Sequence, residues 1–575
     1  MLKCDVVMKG GITSGIVYPK AVAALAKTYA FQSIGGTSAG AIAAAATAAA
    51  EYGRRHGNAQ AFDELEKLPD QLGETVNGAP KLLSLFKPQT ETEPLFHVLL
   101  AGLKGVGAAV GEAVRRYALA GLLGALPILV ILMPFFSLAN LLAGNFFAVI
   151  LGVFPWLLLS AVGFAVGVAL GVKSDLQKKI PANLFGLCSG LGDGALTPWL
   201  YELFQKLSGK KDGPLTFGDL QGDQIDLQMM TTSLTHGRPY RVPLEGKAFY
   251  FREADFLRLF PKEVVDWMKA HAPAETGPRA ADEFLRWPEA KDLPVVVGTR
   301  LSLSFPLLIS AVPLYAIDFD RPEGERKPEP CWFSDGGISS NFPVHFFDAP
   351  LPGWPTFAIN LRAFPGRPTS DEEVWMPKDN KEGRREWWNR FEGRGTAGFV
   401  GSILDAMQNW QDNTQLRMPG YRDRVAHVGL GPDEGGLNLA MPPERIAALS
   451  GRGKKAGETL AARFTPGSAE KLNWENHRWV RFRSSLATLE ELFAKLAKKL
   501  DPAAPPFQAG DVPYGELVSK KDAVSYDWER SEQRERAEKA LAELRAISME
   551  WTASPQKLAE GSPQPTPELR ARPKI

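Results

Sequence analysis

Apolar residues fall along this chain in two distinct patterns. In the first fifty residues short apolar runs alternate with glycine-rich turns. Asp5 to Met8 predicts a strand, Gly10 to Gly15 a flexible loop, Ile16 to Tyr29 a helix with Pro19 in its first turn, and Phe31 to Ile34 a second strand. After Ser38 the run AGAIAAAATAAAEYG predicts a helix of almost pure alanine, slim enough to lie close against a sheet. This order of elements is the opening of an α/β fold. Further on, IDLQMMTTSL, FYF, LPVVVG, PLYAIDF, CWFSDGG and TFAINL read as short β-rich runs between turns and helices, so the sheet is expected to resume over 180–365.

The second pattern lies between Arg116 and Lys173, where there is no Asp, Glu, Lys or Arg at all. A membrane helix needs roughly 20 apolar residues, so this stretch is long enough for two, with a turn expected across Ser137 to Asn145 at Asn140, Gly144 and Asn145. Lys104, Arg115 and Arg116 precede the stretch and Lys173, Lys178 and Lys179 follow it, which predicts a hairpin with both ends on the cytoplasmic side. Pro127, Pro134 and Pro155 are tolerated in membrane helices, whose neighbours satisfy the freed backbone groups.

The expected organisation is therefore a split core. Residues 1–55 form its N-terminal part, 56–100 a cap-like connection, 101–179 the transmembrane hairpin insertion and 180–365 the C-terminal part of the core. From 366 to 500 the chain is richer in Trp, Arg, Gly and Pro and reads as an accessory C-terminal lobe, with Trp387, Trp388 and Arg422 weighed between packing and a partner- or lipid-binding face. Residues 501–575 read as a charged helix and a disordered Pro-rich tail.

Charge adds an exclusion: 66 basic against 65 acidic side chains give no reason to expect a nucleic-acid partner. Cys4, Cys188 and Cys331 match neither a disulfide framework nor a metal-ligand spacing, which suits a reducing compartment, and no metal or cofactor is expected. The N-terminus MLKCDVVMKGG lacks the apolar segment of a secretion signal.

Three segments carry candidate chemistry. Gly36-Thr37-Ser38-Ala39-Gly40 is a G-x-S-x-G motif at a strand-to-helix junction, where the turn exposes the hydroxyl and the helix start behind it favours a developing anion. Lys9-Gly10-Gly11-Ile12-Thr13-Ser14-Gly15 follows the first strand, and its glycines let backbone amides point at an oxyanion; neither nucleotide-binding glycine motif is present. Phe333-Ser334-Asp335-Gly336-Gly337 ends a strand with a carboxylate, the base a serine hydroxyl requires. A rival triad in the order Ser, Asp, His would use His345, His427 or His477, but that fold reaches its elbow after more strands than precede Ser38.

The segments VMKGGITSGIVYPKAV, GGTSAGA and FSDGGISSNFPV resemble the glycine-rich, nucleophile-elbow and Asp-Gly-Gly motifs of the patatin-like phospholipases, and MMTTSLTHG and TRLSLSFPLL resemble core segments of that family. The resemblance covers roughly 1–55 and 180–365. It implies a three-layer α/β/α core, cleavage of lipid acyl esters, Ser38 as nucleophile and Asp335 as base of a Ser-Asp dyad. It also implies oxyanion or substrate contacts from Gly10, Gly11, Ile12 and Ala39, with Gly36, Gly40, Gly336 and Gly337 as motif glycines. Ile12 and Ser14 stand where the family loop usually carries a third glycine and a basic residue. The expectation is a membrane-anchored serine acyl hydrolase with its catalytic domain facing the cytoplasm. The alternative is a membrane-associated lipid-binding scaffold of the same fold with little turnover.

Overall fold

The computed structural model describes residues 1–76, 78–133, 142, 144, 146–244, 248–274, 283–364, 372–384, 395–501, 512–520 and 525–569. Eleven strands among them form one mixed sheet: β1 (Leu2–Met8), β2 (Tyr29–Gly36), β3 (Asp226–Ser233), β4 (Arg238–Val242), β5 (Tyr250–Phe251), β6 (Leu285–Arg286), β7 (Val312–Ile317), β8 (Pro328–Asp335), β9 (Thr356–Ala363), β10 (Val374–Trp375) and β11 (Val425–Leu430). Their order is β10-β11-β9-β1-β2-β3-β8-β7-β5-β6, with β4 paired to β3. The run β11-β9-β1-β2-β3 is parallel, and β8 returns antiparallel to β3. That reversal brings Asp335, paired with Thr231, to the end of the sheet from which Ser38 emerges beyond β2.

The principal helices are α1 (Tyr18–Ala26), α2 (Ala39–Arg55), α3 (Ala61–Gly73), α4 (Glu93–Gly102), α5 (Val106–Arg116), α6 (Ala118–Met133), α7 (Phe146–Ala182), α8 (Leu196–Ser208), α9 (Val295–Leu303), α10 (Gly395–Gln415), α11 (Pro443–Phe464), α12 (Trp474–Leu500) and α13 (Ser531–Ala553). Strand periodicity puts Cys4, Val6 and Met8 into the large core beneath α1, α2 and α11, whereas Val7 faces a second core with Phe342, Val344, Ala358, Tyr421 and Val425. Both faces of the sheet are thus covered. The alanine helix α2 does what its composition predicts, burying Ala41, Ala44, Ala45, Ala48 and Ala49 completely.

Several expectations change. LPVVVG, read as a strand, begins the helix α9, which is buried along its whole length; a run of β-branched residues buried on every side carries no periodicity to tell the two apart. The 366–500 stretch supplies β10 and β11 to the sheet, and α11 packs so closely on α1 that a Cβ on Gly457 would lie 2.2 Å from the Ala21 carbonyl oxygen. Residues 554–569 fold back on α12, where Glu490 accepts from the Leu558 and Ala559 amides at 3.0 and 2.9 Å. Arg422 is buried, donating to the Arg417 and Gln564 carbonyls, and is no exposed docking residue; Trp387 and Trp388 lie outside the described residues.

The charge-free stretch forms α6 and most of α7; the turn expected across Ser137 to Asn145 falls almost wholly outside the described residues. They pack through glycines: a Cβ on Gly167 would lie 2.2 Å from the Ala120 carbonyl oxygen, and one on Gly124 would lie 2.4 Å from that of Gly163. Outward they present Leu119, 71% exposed, Phe154, 73% exposed, and Leu122, Leu126, Leu157, Val162 and Val166. The arms are unequal. Val153–Ala182 is long and apolar enough to cross a membrane, whereas α6 reaches that length only together with α5, from which it bends by 73°.

Candidate active site

Ser38 sits at the N-cap of α2 with φ +56° and ψ −126°, a strained conformation for a residue with a side chain and the one a nucleophile elbow imposes. Two glycines make the turn possible. A Cβ on Gly36 would lie 2.2 Å from the Gly40 carbonyl oxygen, and one on Gly40 would lie 2.2 Å from that of Met8. The Ser38 amide donates to Ser302 Oγ at 3.2 Å, which fixes the elbow to α9.

Asp335 ends β8. Its Oδ1 accepts the Gly337 amide at 2.7 Å, and its Oδ2 is buried without a hydrogen bond of ordinary geometry, although the Ser38 hydroxyl lies near enough to favour the ionised carboxylate. Burial dominates and raises its pKa from 3.8 to about 6, against the opposing pull of Ser38 and the Gly337 amide. Gly336 is forced, because a Cβ there would lie 2.0 Å from the Met230 carbonyl oxygen. The Asp335 backbone amide donates to the Ser304 carbonyl at 3.0 Å. Arg300, fully buried on α9, holds that segment by donating to Ser304 Oγ at 2.6 Å, the Ser189 carbonyl at 2.9 Å and the Ser310 carbonyl at 3.2 Å.

The glycine loop crosses in front of Ser38. Gly10 approaches so closely that a Cβ there would lie 3.1 Å from Ser38 Cβ and 2.2 Å from Asn341 Oδ1. Its amide does not point into the site but donates to the Asn341 carbonyl at 2.8 Å, which changes the expected role of Gly10 from oxyanion donor to close-approach residue. The amides that follow, Gly11 and Ile12, stand at the open N-terminus of the short 3-10 turn Ile12–Val17, and Ala39 stands likewise at the start of α2. Ile12 adopts φ +22°, a left-handed value that a β-branched residue rarely takes and that glycine takes freely. Ser14 closes the turn by donating to the Gly11 carbonyl, and Thr13 is tied by its amide and hydroxyl to the Gly436 carbonyl at 3.2 and 3.0 Å.

Ala39, which follows Ser38, and Ile12 of the glycine loop line a cavity whose walls are almost wholly apolar, completed by Ile42, Leu65, Leu82 and Trp199 among others. The segment 56–100 therefore contributes a wall of that cavity through Leu65 and Leu82. None of the three rival histidines is bonded to Asp335. His477 pairs with Asp423 at 2.6 Å; His427 contacts Asn360 at 3.0 Å, and burial, with Arg362 and Lys9 nearby, pushes its pKa down to about 3; His345 stacks edge-on against Phe346. No group of His, Cys, Asp and Glu side chains among the described residues could hold a metal.

The family model for patatin-like phospholipase matches residues 6–105, the segment carrying the glycine loop and the elbow. The RpoH suppressor of Rhizobium meliloti (strain 1021) is 36% identical over 656 aligned positions, covering 99% of this chain and 98% of its own. The chain belongs to the patatin-like phospholipase family. It is thus a member of a family of lipid hydrolases, on a mixed α/β core; the relative's printed name states no chemistry. The crystal structure of VipD from Legionella pneumophila aligns over 97% of this chain and 89% of its own at 12% identity, with a TM-score of 0.29 that supports no argument about either molecule. What sequence reasoning missed at this site is Asn341, the bracing helix α9 and the contributions from beyond residue 366.

Proposed function

We propose that this patatin-like protein is a serine acyl hydrolase that cleaves lipid acyl esters through an acyl-enzyme, with Ser38 as nucleophile and Asp335 as base. The observation that carries the reading is a buried carboxyl with one unbonded oxygen, raised to about 6, beside a serine in the elbow conformation. A carboxylate with that pKa is ionised near neutral pH yet basic enough to accept a hydroxyl proton. Ser38 Oγ attacks the ester carbonyl carbon as its proton passes to Asp335. The Gly11 and Ile12 amides, with the positive end of α2, stabilise the oxyanion. Asp335 returns the proton to the departing alkoxide. It then takes one from water, whose oxygen attacks the acyl carbon, and passes it to the departing Ser38 Oγ, which releases the fatty acid and restores both groups. The apolar cavity beside Ala39 suits an acyl chain.

The same reading places α6 and α7 in a membrane, because the apolar side chains they expose would otherwise face water. The basic residues at both ends favour a cytoplasmic catalytic domain. At the base of the arms the water-side boundary is marked by Asp175, which accepts from Tyr117 Oη and pairs with Lys179, each at 2.9 Å.

Incubation with phospholipid vesicles, followed by mass spectrometry of the lipids, tests the activity. Wild type should release free fatty acid and Ser38→Ala should release none. Equal release by the two would remove Ser38 from the mechanism, and none by either would favour a lipid-binding scaffold.

A further inference from the structure

A single carboxylate from beyond the resembling region ties the two catalytic loops together. Asp412 lies near the end of α10 and is buried. Its Oδ2 accepts two consecutive backbone amides, Asn341 at 2.9 Å and Phe342 at 2.8 Å, and its Oδ1 accepts the Ser340 hydroxyl at 3.3 Å. Those three residues lie at the end of the turn that Asp335 begins, since the Ser339 and Ser340 amides both donate back to the Gly336 carbonyl, at 3.1 and 3.0 Å. The same Asn341 whose amide Asp412 holds offers its carbonyl to the Gly10 amide at 2.8 Å. Its side chain fills the gap between the loops: its Oδ1 lies 2.2 Å from a Cβ built on Gly10 and 2.9 Å from one built on Gly337.

Two amides pointing into a buried space need an acceptor, because an unpaired buried donor carries its full desolvation cost. A carboxylate meets both at once and makes the stronger, charge-assisted bond. Burial raises the Asp412 pKa to about 6, so it is ionised near neutral pH, and the two amides and Lys9, which opens the glycine loop, oppose that rise.

We propose that Asp412 is a positioning residue for the acyl-transfer reaction: by fixing the backbone of Ser340–Phe342 it sets the distance between the Asp335 turn and the Gly10–Ile12 loop, so the base and the oxyanion amides meet one substrate carbonyl. The proposal rests on the dyad reading above and deepens it. It gives α10, and so the stretch after residue 366, a part in catalysis that no motif of the sequence announces. Asp412 touches no substrate atom. Its effect is on the rate of the chemical step, since neither Asp412 nor the residues it holds line the apolar cavity proposed for the acyl chain.

The test uses the full-length protein, a short-chain p-nitrophenyl ester and a small fluorophosphonate. Asp412→Leu keeps the branched outline of Asp in a larger side chain and accepts nothing. It should lower kcat and the labelling rate of Ser38 roughly 10- to 100-fold while leaving KM little changed, the scale expected of a small misplacement of catalytic groups. Asp412→Asn keeps an oxygen for the two amides and should restore most of kcat. Full activity in Asp412→Leu, or equal losses in Leu and Asn, would overturn the proposal; so would a loss confined to KM. Should Asp412→Leu fail to fold, Asp412→Ala carries the test: it removes the acceptor of both amides and should lose kcat and labelling rate on the same scale with KM little changed, and full activity in folded Asp412→Ala would overturn the proposal. Absence of labelling in wild type would instead refute the dyad reading itself.

Discussion

Asp335 is where one side chain's energetics bear most directly on function. Burial raises its pKa from 3.8 to about 6, so the folded protein binds this proton more tightly than the unfolded chain. The sign follows. Below pH 3.8 both states are protonated and burial costs nothing here; as pH rises through 6 the fold must hold an ionised carboxylate, at a cost of about 3 kcal/mol for a shift of this size. Asp335→Asn should therefore be inactive yet more stable than wild type at pH 8 by up to that amount. The gain should vanish near pH 3.5, which denaturant melts at the two pH values would show. In wild type kcat/KM should rise with pH to a plateau with a midpoint near 6. An Asn variant no more stable at pH 8 would mean that the carboxyl is not desolvated as the structure has it. Ile12 is the other informative residue. Its sequence departs from the family loop, and its backbone nonetheless adopts a left-handed value, so the loop keeps a glycine-like shape at the expense of strain.

Elements were legible to the degree that their patterns were one-sided. The elbow could be read because Gly36, Ser38 and Gly40 sit between a strand and an alanine helix, and only glycine satisfies the close approaches found at 36 and 40. The packed pair of apolar helices α6 and α7 could be read because fifty-six consecutive residues, 117–172, lack an acidic or basic side chain. α9 could not be read, since its valines serve a fully buried helix as well as a strand. β10 was too short to signal itself. For α6 and α7 the account predicts retention in the membrane pellet after an alkaline wash. A variant with residues 118–172 replaced by a short Gly-Ser linker should move to the supernatant and still hydrolyse a short-chain ester. Wild type in the washed supernatant would contradict membrane insertion and leave the hairpin as a soluble surface feature.

Across the whole molecule, the site is assembled from parts far apart in sequence: Gly11 and Ser38 from the opening α/β unit, Asp335 from the antiparallel return of the sheet, Gly436 and Asp412 from the region after residue 366. Motif spacing exposed the first three. The last two act through a backbone carbonyl and a lone carboxylate, and neither leaves a local pattern, because the contacts join residues more than 70 and 400 positions apart. The parallel order β9-β1-β2-β3 fixes the strand ends that carry the glycine loop and the elbow, and the reversed β8 delivers Asp335 to the same end of the sheet. All of this converges on the claim that Ser38 is a nucleophile activated by Asp335. Fluorophosphonate labelling with peptide mapping measures it most directly. One adduct on Ser38, forming faster as pH rises through 6 and lost or slowed at least ~10³-fold in Asp335→Asn, is the predicted result. An adduct elsewhere, or labelling of Ser38 indifferent to Asp335, would contradict it.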